Sequence, residues 1–244
     1  MNPQKKFWRW KNQADSEPAE RVLELYGTIA EESWFDDDVT PQMFREELFS
    51  GEGDVVVFLN SPGGDCVAAS QIYTMLVEYA GKVTVKIDGI AASAASVIAM
   101  AGDTVLMAPT GMMLVHNPMT AAFGYKAEME KAIEMLEEVK ESIINAYERK
   151  TGLSRQKLSR LMDAATWMNA RRAIELGFAD GMLGDSPPTD APPAFEFSGR
   201  IAETSLINKI TDKARREKPP EPEKPVPLGR SVDELMERLS LLKN

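Results

Sequence analysis

The chain has 244 residues, of which 43% are hydrophobic, and a formal net charge of −10. That is enough chain for one sizeable core with extensions, and the apolar share is that of a globular protein. The acidic balance argues against a general nucleic-acid binder, whose surface would be basic.

The single cysteine, Cys66, cannot form an internal disulfide, which suits a reducing cytoplasm. Following a Gly-Gly turn, it reads as a small buried hydrophobe at a helix start, with thiol chemistry as the alternative. The first dozen residues are basic and aromatic (Lys5, Lys6, Phe7, Trp8, Arg9, Trp10, Lys11) and lack the apolar segment of a secretory signal. Ile90 to Ala101 is the most apolar run, but it is too short for a membrane span. The expected setting is cytoplasmic, with no membrane and no nucleic acid as partner.

Three zones are expected. Residues 1–20 form an N-terminal flexible segment, 21–184 a folded domain, and 185–244 a proline-rich charged tail ending in a short amphipathic helix. In chain order, Val22 to Ile29 reads as a strand. Pro41 to Leu48 reads as a helix opened by Thr40 as N-cap. Asp54 to Leu59 is a continuous apolar run, the signal of a strand buried on both faces. It ends at Asn60-Ser61-Pro62-Gly63-Gly64, and apolar residues at helical spacing follow from Asp65 to Tyr79. Val83 to Ile87 is a strand, Ser93 to Ala101 a helix, and Thr104 to Met107 and Met112 to Val115 two more strands. Strands alternating with helices imply right-handed crossovers and an α/β sheet.

Tyr125 to Arg149 carries one stripe of Ala132, Met135, Leu136, Val139, Ile143 and Ala146. At about 25 residues it exceeds an ordinary globular helix, so it either packs on another subunit or lies solvated. Leu153 to Met162 and Ala170 to Leu176 complete the domain, the latter with Asn169 as N-cap and Gly177 as stop. In the tail, Ser231 to Glu234 is a capping-box pattern ahead of the stripe Val232, Leu235, Met236, Leu239 and Leu242.

One histidine, His116, lies 23 residues after Ser93 in Gly89-Ile90-Ala91-Ala92-Ser93. A serine hydroxyl needs a base to become nucleophilic, so a Ser–His mechanism here must use His116. Ser93 sits at the turn into a helix, where free N–H groups gather. The N–H of Ala94 and that of Gly64, in the double-glycine turn, could both face the carbonyl oxygen of a scissile peptide. Ser96 is the close rival to Ser93.

With these pieces in place, the chain resembles the ClpP family of serine peptidases, especially the ClpP-like proteases of phage head-assembly gene clusters. The matching segments are Phe58-Leu59-Asn60-Ser61-Pro62-Gly63-Gly64, Gly89-Ile90-Ala91-Ala92-Ser93 and Leu114-Val115-His116-Asn117-Pro118. To these are added Thr166-Trp167-Met168-Asn169-Ala170 and Glu175-Leu176-Gly177-Phe178-Ala179-Asp180. The resemblance implies an α/β fold of the ClpP/crotonase-like ββα superhelix type, with Tyr125 to Arg149 as a protruding handle helix. It makes Ser93 the nucleophile, His116 the general base, and Gly64 and Ala94 the oxyanion donors, with no cofactor and no metal. It implies a homo-oligomer of stacked heptameric rings acting on protein and peptide substrates.

The family's orienting aspartate corresponds to Ala165 here. Three arrangements stay open: Asp163 as third member, a Ser–His dyad, or another acid. Function is open in the same way. The leading expectation is a phage or prophage head-maturation endopeptidase cutting capsid or scaffold proteins. The others are a proteolytic subunit fed by an ATPase unfoldase, since this chain has no phosphate-binding Gly-x-x-x-x-Gly-Lys-Ser/Thr loop, and a ring-forming assembly factor with weakened chemistry. A crotonase-type acyl-CoA enzyme shares the fold but has no need of a Ser93–His116 pair.

Overall fold

The structure is a computed structural model that describes residues 6–12, 21–30 and 40–184. The expected proline-rich tail and its terminal helix lie outside the described residues. Among the described residues, eight strands form one sheet whose main path runs β1 (Trp8–Asn12), β2 (Arg21–Tyr26), β3 (Val55–Ser61), β4 (Val83–Ala92), β5 (Thr104–Met107) and β8 (Gly181–Met182). β6 (Met112–Val115) pairs with β4, and β7 (Thr166–Asn169) pairs with β6. All pairings are parallel except β1 with β2 and β6 with β7. The α/β class expected from the sequence is thus observed.

Strand β1 lies within residues 1–20, the span expected to be a flexible segment, and gives Trp8–Asn12 a place in the sheet. Trp8-Arg9-Trp10-Lys11 alternates aromatic and basic residues with the period of two that a strand requires. Trp8 is buried against Phe44 at 5.3 Å between ring centroids, and its indole N–H donates to Glu47 at 2.7 Å. On the other face, Arg9 and Lys11 both pair with Glu24 of β2, a carboxylate only 4% exposed. Two cations around it hold that carboxylate below its ordinary pKa, although burial opposes them. Strand β2 ends at Tyr26, three residues short of the expected end, because Gly27 turns the chain at φ 86°. Ile29 keeps a single bridge to Gly64.

The helices follow their caps. α1 (Pro41–Phe49) starts with Thr40 Oγ1 accepting the Met43 N–H, and buries Phe44 and Leu48. α2 (Cys66–Glu78) starts with the Asp65 carboxylate accepting the Ala68 N–H at 2.7 Å. Its buried Ala68, Ala69, Ile72, Met75 and Leu76 form one helical stripe. α3 (Ala94–Ala99) is short and buried along its whole length. α4 (Lys126–Thr151) runs 26 residues and stops at Gly152, whose φ of 67° suits a C-terminal glycine. α5 (Arg155–Asp163) and α6 (Ala170–Glu175) follow, capped by Ser154 and Asn169. The core joins the inward faces of β2–β5 to Phe44, Ile72, Leu76, Ile98, Tyr147 and Phe178.

Strand β4 is longer than the sequence suggested, and this sets up the site. Its first half, Thr84 to Ile87, pairs with β5; its last part, Ile90 to Ala92, pairs with β6. Between them the pairing with β3 shifts register, and Asn60 Oδ1 accepts the Ile90 N–H at 3.2 Å. A Cβ on Gly89 would sit 2.5 Å from that same oxygen, so only glycine allows the side chain to fill the gap. The strand turns away from β5 and carries Ser93 to the end of β6.

Candidate active site

Ser93 occupies the turn from β4 into α3 with φ 56° and ψ −127°. A non-glycine residue at positive φ is strained, and strain of this kind clusters where a side chain must be presented. Its N–H donates to Leu114 O of β6 at 3.0 Å, which ties the turn to the neighbouring strand. Its hydroxyl makes no cap hydrogen bond to α3. A hydroxyl in that position is free to attack or to be deprotonated.

His116 directly follows β6. Since Ala92 pairs with Leu114, Ser93 and His116 emerge from the same ends of two adjacent parallel strands. The His116 Nε2 is buried with no hydrogen-bond partner among the described residues, so the pair is adjacent but not bonded to each other. Burial pulls the imidazole below its ordinary value, against a backbone hydrogen bond at Asn117 that raises it. At neutral pH it is therefore the free base.

The double-glycine turn lies against Ser93. A Cβ on Gly63 would meet Ala92 O and Ser93 Cβ, each at 2.7 Å, and Ala94 N at 3.1 Å. In the bridge to Gly64, Ile29 makes both bonds, donating to Gly63 O at 2.9 Å and accepting from Asp65 N at 3.1 Å. The Gly64 N–H consequently faces away from Ile29. The Ala94 N–H, at the first position of α3, has no acceptor within its own helix. A tetrahedral oxyanion is stabilised by N–H donors of this kind.

The hydrogen bonds of Asp163 go to neighbours other than His116. Asp163 accepts from Asn117 Nδ2 at 2.9 Å and from Lys140 Nζ at 2.5 Å, and is 53% exposed. The hydrogen bonds from Lys140 and Asn117 hold its carboxyl below the usual range. β6 and β7 pair Val115 with Thr166, so Ala165, the residue before Thr166, lies at the end of the strand pair from which His116 emerges. Ser96 lies fully buried, its hydroxyl bonded to Ser93 O at 2.6 Å and to Tyr147 OH at 2.7 Å. Sequence reasoning missed Asn117, Lys140 and Tyr147 as neighbours of this site. Only Asn117, inside the Leu114–Pro118 motif, was within reach of a local signal. Among the described residues, no group of three or more His, Cys, Asp or Glu side chains could hold a metal ion.

The model of the family described as Clp protease matches residues 6–186. The chain belongs to the Clp protease family. It is 29% identical over 141 residues to ATP-dependent Clp protease proteolytic subunit 1 of Chlamydia muridarum, covering 56% of this chain and 73% of that protein. With proteolytic subunit 2 of Treponema denticola the identity is 28% over 159 residues, 64% of this chain and 78% of the other. With the proteolytic subunit of Mesostigma viride it is 33% over 156 residues, 61% and 67% respectively. This Clp-family chain is a serine-type peptidase with the ClpP-like α/β fold. Within its described residues no helix is long and apolar enough to cross a membrane.

Proposed function

We propose that this peptidase hydrolyses peptide bonds through Ser93 as nucleophile and His116 as general base, with Gly64 and Ala94 N–H groups receiving the oxyanion. The supporting observation is the strained turn that keeps the Ser93 hydroxyl out of the α3 cap, at the end of the strand beside the one delivering His116. In acylation, Ser93 Oγ bonds to the carbonyl carbon while its proton passes to His116 Nε2. The imidazolium then returns that proton to the leaving amine, and water repeats the sequence to free the enzyme. Labelling with a serine-directed phosphonate tests the assignment. An adduct on Ser93 is expected, and an adduct on another serine overturns it.

A neutral imidazole base predicts a specific pH profile. Protonation removes the base, and the downward shift of His116 moves that loss to lower pH. The ratio kcat/KM, whose profile reports the free enzyme, should hold through neutrality and fall only below about pH 6.5. A limb centred above that value would contradict the free-base reading.

The substrate reading we favour is maturation of phage or prophage heads, with capsid or scaffold proteins cut by the endopeptidase. It is supported by the proline-rich residues beyond the family match, which ends at 186. A second reading rests on the relatives, whose names make them proteolytic subunits of ATP-dependent proteases. Under the first, unfolded scaffold protein is cut without nucleotide. Under the second, a folded substrate is degraded only when an ATPase unfoldase and ATP are added.

Either reading calls for a homo-oligomer, which we propose to be stacked heptameric rings joined by α4. In support, α4 packs only its C-terminal part, through Ile144, Ala146 and Tyr147, while Ile133 and Met135 stand 57% and 48% exposed. Light scattering should give a mass many times the 27.0 kDa of one chain. Replacing Met135 and Val139 by glutamate should split the assembly, and truncation after Gly184 should leave its subunit number unchanged. A clean monomer for the intact chain would remove the chamber from the proposal.

A further inference from the structure

Behind Ser93 lies a pair of hydroxyls that the proposed reaction does not use. Ser96 Oγ donates to Ser93 O at 2.6 Å, and the Ser96 N–H donates to the same oxygen at 2.9 Å. Because the one Ser96 hydroxyl proton is committed there, the Tyr147 phenol must donate across the 2.7 Å contact to Ser96 Oγ. Tyr147 belongs to α4, is 1% exposed, and stacks edge-on against Phe178 at 5.3 Å. Burial pushes its phenol far above the ordinary value, so it remains a donor at every working pH.

The peptide joining Ser93 to Ala94 is planar, and its C=O and N–H point in opposite directions. Anything that fixes Ser93 O therefore fixes the Ala94 N–H. Pulling the carbonyl into the core, toward Ser96 and Tyr147, aims the amide out at the substrate side. It also holds the positive φ of Ser93 against relaxation. We infer that Ser96 and Tyr147 are positioning residues that lock the Ser93–Ala94 peptide so that its N–H serves the oxyanion, and that they tie this peptide to the long helix α4. The inference rests on Ser93 as nucleophile.

The test measures the rate at which a fluorophosphonate labels the full-length protein, together with peptide kcat and KM. In labelling, Ser93 Oγ forms the bond to phosphorus, fluoride leaves with its electron pair, and the hydroxyl proton goes to His116. The phosphoryl oxygen gathers charge where a peptide oxyanion would. Losing one oxyanion donor outright reduces rate by about 10²–10³; losing its alignment should reduce it less. Ser96→Ala should slow labelling and kcat about ten- to a hundredfold, and Tyr147→Phe about three- to tenfold, both with KM near wild type.

Because Tyr147 acts through Ser96, the double variant should be no slower than Ser96→Ala alone. That variant removes both hydroxyls and leaves neither as an orphan, so it also serves as the folding control. Labelling at Ser93 with unchanged rates in all three variants overturns the inference, as do losses that simply multiply. A wild-type label on another serine overturns instead the assignment of Ser93 on which it stands.

Discussion

Ser93→Ala should abolish peptidase activity, by about 10⁶ in kcat, while the protein folds and assembles as before. The hydroxyl caps nothing in α3, so its removal leaves no buried donor or acceptor unpaired. The positive φ is carried equally by alanine and by serine, so the turn keeps its strain. The close rival cannot take over. Ser96 lies three residues on, but it is buried and committed to Ser93 O and Tyr147. The measurement is peptide turnover alongside thermal unfolding. If Ser93 and His116 act as one unit, the double variant Ser93→Ala/His116→Ala should be no slower than Ser93→Ala alone. Wild-type turnover in Ser93→Ala would end the assignment.

Much of the path to this site was legible in the sequence because its signals are local. The buried strand Val55–Ser61 reads as an apolar run, and the helix after Asp65 reads as apolar residues at helical spacing. The Gly63–Gly64 turn announces backbone that must pass close to something, and that something is the chain at Ala92–Ala94. What escaped was set by tertiary partners. Strand β1 looked like a charged tail because its aromatic side finds Phe44 and its basic side finds Glu24 only after folding. The extension of β4 past Ile87 was hidden because Asn60, 30 positions upstream, supplies the bond that lets the strand bend at Gly89. Tyr147 was one apolar-looking residue among many on a long helix; its hydroxyl has meaning only beside Ser96. Asp163 shows the opposite hazard. Proximity in sequence made it a candidate, and the structure engages it with Lys140 and Asn117 instead.

Ala165→Asp should raise kcat/KM, and Asp163→Ala should change it little. Removing an orienting carboxylate from a Ser–His pair lowers turnover about 10⁴-fold where one is present, so supplying one has considerable room to act. Val115 and Thr166, the neighbours of His116 and Ala165, pair across β6 and β7, and the Ala165 backbone already lies at φ 45°. That is the left-handed region, where aspartate is markedly better tolerated than alanine. The exposed position leaves space for the longer side chain, so the substitution should not lower the unfolding temperature. A carboxylate beside the imidazole favours its charged form. The acid limb of the rate profile should therefore move to higher pH as the rate at the plateau rises. Those two changes together separate an orienting carboxylate from a general gain in stability. A large loss in Asp163→Ala, with no gain and no shifted limb in Ala165→Asp, would install Asp163 as the third member. It would require the turn at Ala164–Ala165 to rearrange and release Asp163 from Lys140 when substrate binds.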